Sequence, residues 1–170
     1  MPDFEVTELG PADHLEAGEE VPDFTRPLVT DEFWEDRSLS DVAADEGRTI
    51  LVCTPMISSF AAKYIWDELD ERDWFDRADR IVGLTASTPY AVSSFLDDNG
   101  FPFAVFADPA NGVADSLGIV NDLDGMEGIS EPRAAVFGLE PDLTIDSGWV
   151  ATEWPEFPPY DELESDLGLE

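Results

Sequence analysis

The chain has one cysteine, one histidine and one lysine in 170 residues, and these shortages exclude several kinds of chemistry. With Cys53 alone there is no internal disulfide and no cysteine-based metal site. With His14 alone there is no histidine cluster for zinc and no second imidazole for proton shuttling. So near the N-terminus, His14 reads as a surface or tail residue. Phosphate binding requires clustered basic side chains, and eight scattered Lys and Arg residues do not supply them, so nucleic acid is not expected as a partner. No apolar run approaches the ~18 residues of a membrane span. Met1 to Glu20 lacks the basic flank and apolar stretch of a signal peptide, which predicts a cytoplasmic protein.

Acid is what the chain has in excess. Forty Asp and Glu face eight Lys and Arg, leaving a formal charge of −32. Such charge on a weakly hydrophobic chain gives disorder, but here apolar residues make up 43% and recur throughout. The reading is a folded protein adapted to molar salt, where the Debye length falls to ~3 Å and self-repulsion is screened. A specific acidic binding surface is the alternative. Asp122-x-Asp124-Gly125 has the look of a calcium loop, yet no further ligands follow at the required spacing, and no metal site is expected.

One domain is expected over residues 1–170, with residues 1–17 a loosely ordered acidic arm carrying a short strand near Phe4 to Leu9. Ser38-Leu39-Ser40-Asp41-Val42 reads as a short helical turn capped by Ser40 or Asp41. Arg48 to Thr54 is a β-branched, apolar run stopped by Pro55, the pattern of a strand buried on both faces. Ala61, Ile65 and Leu69 then fall at helical spacing, with acidic residues on the other side. Arg80 to Thr85 is a second strand. Ser87 or Thr88 caps a helix with Pro89 at its first position, and Asn99-Gly100 closes it, with Val92, Phe95 and Leu96 facing inward. Phe101 to Phe106 reads as a strand, followed by a short helix through Val113, Ala114 and Leu117. Ala134 to Phe137 and Leu143 to Trp149 read as strands joined at Glu140-Pro141-Asp142, and Tyr160 to Leu167 as a terminal acidic helix. Strands separated by helices, then a hairpin, give an α/β fold with a central mixed sheet flanked by helices. The five tryptophans, at positions 34, 66, 74, 149 and 154, read as core or interface rather than as a ligand groove.

Six fragments resemble, in order, the alkyl hydroperoxide reductase C/thiol-specific antioxidant family of peroxiredoxins. Gly18-Glu-Glu-Val-Pro-Asp-Phe24 resembles the family's G-x-x-A-P-D-F opening, and Ser38 to Asp41 its S-L-S-D segment. Pro55-Met-Ile-Ser-Ser59-Phe-Ala-Ala62 is similar to its active-site signature P-x-x-x-T/S-x-x-C. Val82-Gly-Leu-Thr-x-Ser87-x-Pro89, Asp108-Pro109 through Leu117-Gly-Ile119, and Arg133-Ala-Ala-Val-Phe137 with Gly148-Trp-Val150 complete the match. The resemblance runs from about Gly18 to Trp154. It implies a thioredoxin-like fold with an N-terminal hairpin extension, and a family that commonly dimerises.

The resemblance also implies roles. A thiolate at a helix start attacks the peroxide O–O bond, while an Arg and a Ser or Thr hydroxyl stabilise charge on oxygen and a Pro shields the site. Carried over, Pro55 is that proline, Ser59 the hydroxyl and Arg133 the arginine. Ala62 stands at the nucleophile position, and Ile65 where a glutamate often follows. An alanine cannot attack a peroxide, and an unassisted serine hydroxyl is barely ionised near neutral pH. Three readings follow. The chain is a non-catalytic binding or assembly partner, as a homodimer or beside an active paralogue. Alternatively, Cys53 serves a thiol peroxidase with an external reductant. The third is a small-anion or peroxide-like ligand held by a vestigial pocket of Ser59 and Arg133. No cofactor is expected.

Overall fold

A computed structural model describes residues 7–9, 13–121 and 130–169. Its strands are β1 (Thr7–Glu8), β2 (Thr25–Val29), β3 (Trp34–Ser38), β4 (Thr49–Cys53), β5 (Arg80–Thr85), β6 (Ala104–Ala107), β7 (Val120–Asn121), β8 (Glu131–Pro132), β9 (Ala135–Leu139), β10 (Ile145–Val150) and β11 (Glu153–Trp154). The helices are α1 (Leu39–Val42), α2 (Phe60–Glu71), α3 (Trp74–Arg77), α4 (Pro89–Asn99), α5 (Gly112–Leu117) and α6 (Tyr160–Asp166). Seven strands form one mixed sheet in the order β10-β9-β4-β5-β6-β2-β3. The three central strands β4, β5 and β6 run parallel, joined by helical crossovers. Antiparallel hairpins extend both sides, β9 and β10 beyond β4 and β2 and β3 beyond β6. This is the thioredoxin-like arrangement with its N-terminal hairpin.

The strand period of two sorts the core. Every residue of β4 is buried. Ile50 and Val52 join one apolar cluster with Ile65, Trp66 and Leu69 of α2 and Val92 and Leu96 of α4. Leu51 and Cys53 join the other, with Leu39 and Val42 of α1 and Val113, Ala114 and Leu117 of α5. Such alternation follows from successive side chains pointing to opposite faces.

Helix ends follow local chemistry. The Ser59 hydroxyl caps α2 by accepting the Ala62 N–H at 3.2 Å, and Thr88 caps α4 through the Ala91 N–H at 3.2 Å. Gly100 closes α4 in the left-handed region at φ 64°. Two expectations are corrected. Ser38, not Ser40 or Asp41, precedes α1, and Asp23 accepts the Ser40 N–H and hydroxyl from across the chain. The strand expected from Phe101 begins at Ala104, because Pro102 has no N–H to donate while Phe101 and Phe103 are drawn into the core. Phe95 faces inward as expected, half-buried and packed against the cluster that holds the fully buried Val92 and Leu96.

Trp66 and Trp74 are fully buried, whereas Trp34 on the edge strand is 38% exposed and meets Tyr90 edge-on at 5.2 Å. His14 is half-buried, its Nδ1 2.8 Å from the Leu15 carbonyl oxygen. Leu9 N–H reaches Thr152 O at 2.9 Å, and β1 pairs with β11. The remainder of the expected Phe4–Leu9 strand and the Asp122–Gly125 stretch lie outside the described residues. Among the described residues no helix is long and apolar enough to cross a membrane, and no cluster of potential metal ligands occurs.

Ion pairs do little to balance the charge. Arg72 bridges Glu68 at 2.8 Å, Asp161 at 2.8 Å and Glu164 at 3.2 Å, fastening the end of α2 to α6. Eight cations still leave most of the forty carboxylates facing one another across solvent. Raising KCl from about 0.1 M to 1 M, which shortens the Debye length from ~10 Å to ~3 Å, is expected to raise the melting temperature. Differential scanning fluorimetry checks it, and a melting point that falls or stays level across that range refutes it.

Candidate functional site

Pro55, Ser59 and Ala62 follow β4 in one tight turn at the sheet end. Antiparallel register pairs Cys53 with Ala135. Pro55, two residues after Cys53, and Arg133, two residues before Ala135, therefore lie at the same end of the β4–β9 pair.

The turn is held by side chains that reach its backbone. Thr54 and Thr85 both donate their hydroxyls to Pro55 O, at 3.0 and 3.1 Å. Ile57 N–H donates to Ser87 Oγ and Met56 N–H to Glu131 Oε2, each at 2.8 Å. Sequence reasoning missed Thr85, Ser87 and Glu131 as parts of the site. Ser87 had been a candidate cap, but Thr88 takes that role and leaves Ser87 to turn inward. For the third, the sequence offers only a glutamate two residues before Arg133, with nothing to mark it as buried.

Glu131 is 3% exposed, and burial raises its carboxyl pKa above the ordinary 4.5, opposed in part by the Met56 N–H. A raised folded value means the folded protein holds this proton more tightly than the unfolded chain. The resulting stabilisation is complete below 4.5 and is lost as pH rises through the folded value. Glu131→Gln keeps an oxygen for Met56 and removes the titration. The native protein should therefore lose stability relative to E131Q as pH climbs from about 4 towards 8. Thermal melts of both proteins check this; parallel profiles would mean the carboxylate is not destabilised by burial.

Ala62 is wholly buried on the first turn of α2 and belongs to the apolar cluster with Ile65, which is itself fully buried. Arg133 is 7% exposed, and its guanidinium donates to Ala151 O at 3.2 Å and Leu9 O at 3.0 Å. Desolvation lowers its pKa. Its main-chain N–H donates to Ile119 O at 2.8 Å, fixing the start of β9. Cys53 is 1% exposed, in the cluster on the opposite face of the sheet from Ala62, and burial pushes its thiol pKa up. The turn thus offers a helix start and a capping hydroxyl, but no thiol.

A seven-stranded mixed sheet with a helix start set just beyond an interior strand, β4, is consistent with the redoxin class. The sequence profile described as the AhpC/TSA family matches residues 17–146, and the chain belongs to that family. Solved structures similar in fold include peroxidoxin BcpB from Mycobacterium tuberculosis, 19% identical, with 92% of this chain and 96% of that one covered at a TM-score of 0.71. Enterococcus faecalis AhpC is 16% identical over 89% of this chain and 90% of that one, with a TM-score of 0.75. A thiol peroxidase from Chromobacterium violaceum is 16% identical over 98% and 92%, with a TM-score of 0.74. At these identities the likeness is one of fold. No curated protein sequence gives a match.

Proposed function

We propose that this chain is a non-catalytic AhpC/TSA-family protein that acts as a cytoplasmic binding or assembly partner, as a homodimer or beside an active paralogue, in molar salt. The observation that carries the reading is Ala62, buried at the position where the family's signature has its peroxidatic cysteine. The surroundings support it. The Ser59 hydroxyl is engaged by the Ala62 N–H, and Arg133 donates to two backbone carbonyls. Cys53 lies across the sheet, which favours this reading over a Cys53 peroxidase. The aromatic group of Phe33, Trp34 and Tyr90, 55%, 38% and 74% exposed, is a surface of the kind partners cover.

The test compares peroxide consumption by the native protein and by Ala62→Cys, in molar KCl with a dithiol. Turnover by A62C alone supports the reading and means the turn keeps the rest of its chemistry. Inactivity of both also supports it, with divergence beyond the nucleophile. Turnover by the native protein overturns it.

A further inference from the structure

The eight cations of this acidic chain are distributed unevenly. Arg26 pairs with Asp108 at 2.8 Å, Arg48 with Asp146 at 2.8 Å, Lys63 with Asp67 at 2.5 Å and Arg77 with Glu164 at 3.1 Å. Arg72 is held by three carboxylates, and Arg133 by backbone carbonyls. Two remain. Arg37 has only Glu35 at 3.6 Å, an exposed neighbour on its own strand. Arg80 makes no ion pair and no side-chain hydrogen bond among the described residues.

These two arginines border the same cavity, of about 420 Å³, where the starts of β5 and β6 meet the end of β3 and α1. Its other walls include Leu28, Val42, Ile81, Val82 and Pro102, with the half-exposed ring of Phe75 beside them. The volume suits a small organic ligand, and a lining as polar as it is apolar suits one that carries both an apolar body and a charged head. It lies at the opposite end of the parallel strands from Pro55 and Ala62, about 15–20 Å away along the strands.

We propose that this cavity binds a small apolar monocarboxylate, an aryl-alkanoate or medium-chain fatty acid, through Arg37 and Arg80. A guanidinium matches a carboxylate with two parallel N–H···O bonds, and neither arginine has a close competing carboxylate partner. Asp41 and Asp79 also border the cavity, and Asp79 accepts the Arg48 N–H at 3.0 Å. Two cations and two carboxylates leave no excess positive field. Selection therefore rests on the bidentate match of guanidinium and carboxylate rather than on net field, and the nearby Asp41 and Asp79 disfavour the second charge of a phosphate dianion. Affinity comes from the apolar side chains and the arginines together, and the arginines select an acid over a neutral isostere.

The test titrates isotope-labelled protein in molar KCl with 3-phenylpropionate, with neutral 3-phenylpropanol and with inorganic phosphate. The expected result is saturable amide shifts at Ile81, Val82 and Ala104 with the acid, and none with phosphate or with the alcohol at the same concentration. Arg37→Gln and Arg80→Gln should each weaken binding about tenfold or more. Lys63→Gln, which changes the charge equally on a distant helix, should leave it unchanged. The proposal is overturned by absence of saturable shifts, by shifts mapping elsewhere, or by alcohol or phosphate binding as tightly as the acid. Variants that bind as K63Q does overturn it as well. If an arginine variant fails to fold, the map on native protein decides.

Discussion

Purified protein given hydrogen peroxide and a dithiol in molar KCl is expected to consume peroxide no faster than the dithiol alone, and Cys53→Ser to leave that rate unchanged. Cleaving the O–O bond takes a thiolate within reach of the oxidant. An ordinary thiol is a few per cent ionised at neutral pH, and each unit of raised pKa removes a further factor of about ten. Cys53 has its pKa raised by burial, lies in the interior strand β4 and is 1% exposed. Both the ionised fraction and access fail together. The hydroxyl of Ser59 accepts the Ala62 N–H, and no hydrogen bond joins it to the sole histidine, His14, among the described residues. The same argument predicts that iodoacetamide alkylates Cys53 on the order of a hundredfold or more slowly in the native protein than in urea, because reaction waits for the strand to open. Mass spectrometry of timed aliquots reads that ratio. Native alkylation at the unfolded rate, or peroxide turnover lost on Cys53→Ser, would show an accessible thiolate and restore the peroxidase reading.

Features legible in the sequence are those set within a few residues of one another. The apolar run before Pro55 announces β4, because a strand buried on both faces has no polar side to alternate. Thr88 before Pro89 and Gly100 after Asn99 bracket α4, because caps and positive φ are local requirements. The Pro55–Ala62 turn was readable for the same reason. Its supports were not. Thr85, Ser87 and Glu131 reach the turn from 30 and 75 residues away, and such side chain to backbone bonds leave no period in the sequence. The attachment of Arg133 to Leu9, 124 residues distant, is of this kind. Likewise Asp23 bonds the start of α1 from outside the helix, so the expected cap within Ser40-Asp41 was misplaced. That Arg37 and Arg80 border one cavity depends on the β2–β3 hairpin returning to the sheet edge, which only the assembled topology reveals.

Trp66→Ala is expected to be among the most destabilising single substitutions, and its effect should be coupled to Gly83. The indole is fully buried on the sheet-facing side of α2 and packs against Phe103 with centroids 4.8 Å apart. Truncating such a side chain costs about 3–5 kcal/mol. That is about 10 °C in melting temperature for a domain of this size. The ring can sit there because β5 presents a glycine beneath it. A Cβ built on Gly83 lies 2.6 and 2.7 Å from two indole carbons and 3.1 Å from Val105 Cγ2. Those carbons belong to a rigid ring walled in by the core, so it cannot swing aside as a flexible chain end would. Gly83→Ala should therefore cost about 1–3 kcal/mol through overpacking, despite the ~0.4–1 kcal/mol that alanine recovers from the unfolded chain. With the indole gone, the clash disappears and that recovered entropy remains, so G83A in the Trp66→Ala background should be close to neutral or stabilising. The cycle is read by urea denaturation in molar KCl, with an expected coupling of about 1–3 kcal/mol. Equal costs of G83A in the two backgrounds would mean that the ring does not rest on Gly83 and that another contact sets the spacing between α2 and the sheet.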